Sequence, residues 1–82
     1  MHESPVAREL IKAAVKACVD QNGSDIKAMN VILGPEGAYT AESLVAHIEA
    51  NASGTLVEGT QINIELSETG GATLESISIE VP

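Results

Sequence analysis

Few side chains in this 82-residue sequence can do chemistry: two histidines, one cysteine and twelve carboxylates, beside four lysines and arginines. His2 stands out by its position. Histidine is a bulky second residue, so methionine removal is expected to be inefficient and Met1 to keep a free α-amine. That amine, the deprotonated amide nitrogen of His2 and the His2 imidazole can close adjacent five- and six-membered chelate rings. Three nitrogens in one plane suit Ni(II) or Cu(II), which favour square-planar nitrogen sites. The fourth corner is open to the Glu3 amide, a donor elsewhere in the chain, or water. Affinity should rise with pH, because the ligands must lose protons. Copper should bind more tightly than nickel in isolation, so selectivity would have to come from availability and partners.

The other candidates read as structural. Cys18 is alone, so no internal disulfide and no cysteine zinc site can form. It falls on the apolar face of a helical pattern and reads as a small core residue. A single unpaired thiol fits a reducing, cytoplasmic setting. His47 falls near the polar edge of a second helical pattern and reads as an ordinary exposed histidine. Glu65, Glu75 and Glu80 occupy strand positions expected to face solvent. Gly34-Pro35-Glu36-Gly37 lacks the Lys-Ser/Thr of a phosphate-binding loop. No nucleophile with a base beside it is visible, so the chain is not expected to be an enzyme.

Charge and composition exclude more. The net charge is −8, and no lysine or arginine follows Lys27 although eight acids do. Such a chain is a poor match for nucleic acid, which demands a basic face. Tyr39, the sole aromatic residue, offers no stacking platform for bases. The acids read as a solvated sheet face that resists edge association, or as a docking surface for a basic partner. No apolar run approaches the ~20 residues of a membrane span, and the opening residues do not read as a signal peptide.

The elements that must position these groups follow from pattern. Ser4 is an N-cap and Pro5 a first-turn residue for a helix expected over 5–21. Val6, Ala7, Leu10, Ile11, Ala14, Ala17 and Cys18 share its apolar face; Arg8, Lys12 and Lys16 lie opposite. Lys16 and Asp20 are spaced for an ion pair, and Asn22-Gly23 is a stop in which Gly23 takes the left-handed conformation. Residues 26–33 read as a central strand, broken by Gly34-Pro35. Thr40 caps a second helix with Ala41, Leu44, Val45 and Ile48 on its apolar stripe. Residues 61–68 alternate, with Ile62, Ile64 and Leu66 on one face. Gly70-Gly71 reads as a hairpin turn into a return strand over 74–81. Leu74 is out of phase with Ile77, Ile79 and Val81, which predicts a β-bulge between them. The fold class is α+β in the order α-β-α-β-β: one domain, a three-stranded mixed sheet with two helices packed on one face. The last strand could lie beside the first or at the edge.

Met1-His2-Glu3 followed by a capped helix resembles the opening of the HypA/HybF family, the nickel-insertion factors of hydrogenase and sometimes urease maturation. Val31-Ile32-Leu33-Gly34 looks like that family's first strand and its glycine. Gly54-Thr55-Leu56-Val57-Glu58-Gly59 is similar to its G-T-x-x-E-G run, with Ile62 and Ile64 following in phase. Ser78-Ile79-Glu80-Val81 looks like its final strand. The resemblance implies a cytoplasmic nickel-binding domain over 1–82, with Met1, His2 and Glu3 as the site and His2 as the essential ligand. It implies a nickel-handling GTPase and the hydrogenase large subunit as partners, and a monomer or weak dimer is expected. Family members insert a zinc domain with two C-x-x-C pairs between the last two strands. Here a short turn near 67–72 takes its place, so no structural zinc is expected. Two readings follow: a metallochaperone that binds Ni(II) through Met-His-Glu, or an interaction module of the same fold that no longer delivers metal.

Overall fold

A computed structural model describes residues 4–82. Helix α1 spans Pro5–Asp20 and buries Ala7, Leu10, Ile11, Ala14 and Cys18. Its exposed side carries the expected Lys16–Asp20 pair, at 2.6 Å. The helix ends in a Schellman motif: Gly23 N–H donates to the Cys18 carbonyl and Asn22 N–H to that of Val19. Asn22, not Gly23, takes the left-handed conformation, at φ 58°. Asparagine tolerates it. Gly23 is needed for space instead, because a Cβ there would lie 2.7 Å from Cys18 Sγ.

Strand β1, Asp25–Leu33, is central as expected. A one-turn 3-10 helix, Pro35–Gly37, leads to helix α2, Ala41–Asn51. Strand β2, Gln61–Leu66, pairs parallel with β1, and β3, Ala72–Glu80, pairs antiparallel on its other side. The strand order is β2-β1-β3. The last strand therefore lies both beside the first and at an edge.

That order corrects one expectation. Gly70-Gly71 does not close a hairpin, because β2 and β3 are separated by β1. Two strand spacings amount to roughly 9.5 Å. Residues 67–71 can reach about 16 Å when extended, so five suffice to cross the end of β1. They are tied down as they pass: Ser67 N–H donates to Leu33, Gly34 N–H to Gly71, and Glu36 N–H to Gly70. The crossing is tight at Gly34, where a Cβ would sit 2.1 Å from the Thr69 carbonyl oxygen.

The phase slip between Leu74 and Ile77 is a bulge. Ser76 pairs with Asn30 and Leu74 with Val31, leaving Glu75 without an opposite residue. A second bulge, which the pattern did not suggest, is at Lys27. Ile26 pairs with Ile79 and Ala28 with Ser78. Ile26 and Met29 are three residues apart and would face opposite ways in a regular strand. The bulge turns both into the core. Lys27 is left outside, 2.8 Å from Glu80 and 3.6 Å from Asp25. A hydrogen bond and the charge of Glu80, then the charge of Asp25, raise its pKa above the ordinary 10.5.

Both helices cover one face of the sheet. The core beneath them is Leu10, Ile11, Ala14, Met29, Val31, Leu44, Ile48 and Val57 with their neighbours. Ile62 and Ile64 pack against it, but Leu66 is 72% exposed. Leu66 instead lines an open groove of about 430 Å³ with Leu33, Tyr39 and Ala41. On the open face a polar ladder crosses all three strands. Gln61 donates to Asn63, Asn63 to Asn30, and Asn30 to Ser76, at 2.9–3.0 Å. These side chains make cross-strand contacts without a second apolar layer.

Candidate functional site

Met1, His2 and Glu3 lie outside the described residues. The description begins at Ser4, and Ser4 is anchored. It is 2% exposed and is the N-cap of α1, accepting from Ala7 N–H at 3.2 Å. Its hydroxyl is also 2.7 Å from the Tyr39 hydroxyl. The cap was legible in the sequence; the bond to Tyr39 spans 35 positions and was not.

Tyr39 is placed by its neighbours in the chain. Ala38 sits in the left-handed region at φ 60°, an uncommon conformation for a residue with a Cβ. It turns the chain out of the 3-10 helix. Thr40 then caps α2, its Oγ1 accepting from Ser43 N–H at 3.0 Å. Glu42 in the first turn faces the positive end of the helix dipole. Tyr39 is thus held between two short-range signals and lies half-buried against the core.

His47 lies two turns into α2. Its ring meets that of Tyr39 edge to face, with centroids 5.3 Å apart and planes at 73°. His47 is half-buried, not the freely exposed histidine expected from its position on the polar edge. The cause is tertiary: Tyr39 folds back over the helix and covers one side of the imidazole. Ser4, Tyr39 and His47 form one chain of contacts joining the start of α1 to the middle of α2. The sequence carried one signal for it. A lone tyrosine packed at a core edge needs a partner for its hydroxyl.

The glycine-rich run before β2 is structural. Glu58 accepts from Gly54 N–H at 3.1 Å and closes the turn. Thr55 Oγ1 donates to the Ala52 carbonyl and accepts from Val57 N–H. Val57 fills the core, and Thr60 Oγ1 donates to the Ile26 carbonyl at 2.8 Å, next to the Lys27 bulge. Cys18 is buried, with its thiol 3.9 Å from the Asp25 carbonyl. Among the described residues no three His, Cys, Asp or Glu side chains are grouped to hold a metal ion. No helix among them is long and apolar enough to cross a membrane.

Two helices on one face of a mixed three-stranded sheet, with the N-cap of α1 bonded to Tyr39 just before α2, define the class as a small α+β domain. The chain is 32% identical over all its 82 residues to the hydrogenase maturation factor HypA of Chlorobaculum tepidum, spanning 72% of that protein. The chain belongs to the HypA family of hydrogenase maturation factors. Its fold matches the solution structure of the Ni metallochaperone HypA from Helicobacter pylori over 100% of both chains, with a TM-score of 0.83 at 14% identity. That likeness concerns the fold. No family model matches the chain.

Proposed function

We propose that this chain is a nickel-carrying maturation factor rather than an enzyme. It would bind Ni(II) as cargo through the Met1 amine, the amide nitrogen and imidazole of His2, and Glu3. The observation that carries this reading is the anchored Ser4. In a chain of the HypA family, the residue directly after Met1-His2-Glu3 is buried, caps α1 and is bonded to Tyr39. A chelating tripeptide attached to a fixed point would keep its ligands within a short tether of that point. A nickel-handling GTPase and a hydrogenase large subunit are the partners this function calls for, and a cytoplasmic location would suit it. The family resemblance implies a zinc domain between the last two strands; residues 67–71 join those strands directly here, so we read 1–82 as the nickel-binding domain without that module. The cargo site would then work without structural zinc.

Calorimetric titration of the untagged protein with Ni(II) at pH 7.5, beside His2→Ala, tests the proposal. The expected result is one site of micromolar or tighter affinity, lost in the variant while the helical circular dichroism is unchanged. Binding that survives His2→Ala, or no binding in the unaltered chain, removes it.

A further inference from the structure

We infer that the outer edge of β2 is a docking site for an extended segment of another protein, one in which apolar and basic residues alternate and which joins the sheet as a fourth strand. The inference does not rest on the nickel site. The two edges of the sheet differ. β3 carries the Glu75 bulge, and its register against β1 shifts twice. Bulges twist an edge away from further pairing. β2 pairs with β1 in unbroken register from Gln61 to Leu66 and holds no proline. Among the described residues no strand lies beyond it. Such an edge presents a row of unpaired N–H and C=O groups along its outer side. An incoming extended segment would satisfy them by strand addition.

Side chains set the chemistry of the occupant. Successive residues of an added strand face opposite sides of the sheet. On the helix side it would meet Ile62, Ile64 and Leu66. The first two are half-buried, and Leu66 is exposed beside the open groove it forms with Leu33, Tyr39 and Ala41. Apolar side chains there would cover what the two helices leave open. On the other side it would meet Glu65, exposed near the end of the strand, with exposed Glu68 just beyond it in the chain. No ion pair between described residues engages either acid, and no lysine or arginine follows Lys27 in the chain. Lys27 is itself held by Glu80 and Asp25. Basic residues of the partner would supply the missing charge. A second copy of this chain is a poor occupant, because β2 has no base to offer and two chains of net charge −8 repel.

The experiment adds a capped heptapeptide of alternating lysine and valine to the untagged protein without metal, and in a parallel sample its glutamate–valine counterpart. Amide chemical shifts locate binding. Hydrogen exchange reads strand addition, because a new strand protects every second amide of 61–66. The expected result is that the basic peptide gives saturable shifts along β2 and slows exchange at alternate amides there, while the acidic peptide does neither. Glu65→Lys should weaken binding about threefold or more, since a like-charge pair replaces an opposite one. Leu66→Ser should weaken it about tenfold by removing apolar surface from the groove. Both positions are exposed, so the circular dichroism of each variant should match the wild type. Absence of binding, equal binding of the acidic peptide, or shifts without alternate-amide protection overturns the inference. A concentration-dependent dimer of the protein alone that protects the same amides also overturns it, since a second copy would then be the occupant. Each readout is taken without Ni(II), so the nickel site stands or falls separately.

Discussion

The bond between Ser4 and Tyr39 can be weighed by a double-mutant cycle. Ser4 has two roles: it caps α1, and it partners the Tyr39 hydroxyl. Loss of an N-cap costs about 1 kcal/mol. Loss of a side-chain hydrogen bond costs about another 1 kcal/mol, held down here because the bond is only partly buried and the phenol can turn to water. Ser4→Ala should therefore lower stability by about 2 kcal/mol. Tyr39→Phe removes only the second contribution and leaves Ser4 accepting from Ala7, so it should cost about 1 kcal/mol. With both changes the cost should stay near 2 kcal/mol rather than 3, a coupling of about 1 kcal/mol. Urea unfolding followed by helical circular dichroism reads these values. Thermal midpoints should fall by roughly 4–8 °C per kcal/mol for a domain of this size. Additive losses, with coupling below about 0.3 kcal/mol, would refute the claim that Tyr39 holds the start of α1.

Two further outcomes follow from backbone geometry. Gly34→Ala should destabilise by about 3 kcal/mol or more in the same urea melts, because its Cβ would press on the carbonyl oxygens of Thr69 and Gly70 where the chain crosses β1. Ala38→Gly should raise the urea midpoint by an amount worth about 0.5–1 kcal/mol; relief of the left-handed strain outweighs the entropy that glycine adds to the unfolded chain.

Local signals carried most of the fold. The Ser4 and Thr40 caps, the apolar face of α1 and the bulge at Glu75 are written in spacings of four residues or fewer, and each stands where the pattern put it. Readings that failed depend on distant partners. Gly70-Gly71 has the composition of a hairpin turn, yet β1 occupies the place between the two strands it joins. The Lys27 bulge leaves no mark in the pattern, because the stretch from Ile26 to Leu33 is too apolar for alternation to carry a phase. Propensity gives Gly23 the left-handed role, but Asn22 takes it, and Gly23 is needed instead because a Cβ there would have no room beside Cys18.

The candidate site divides the same way. Met1, His2 and Glu3 are neighbours in the chain, so the chelating order proposed for them is read from the sequence, and with it the α+β class and the family resemblance. Only the tertiary structure brought Tyr39 to Ser4 and set His47 against Tyr39. Covalent spacing determines which donors can close a chelate ring. Packing of α1 and α2 on one sheet face decides which distant side chains meet, because those contacts depend on buried surfaces far from them in the chain.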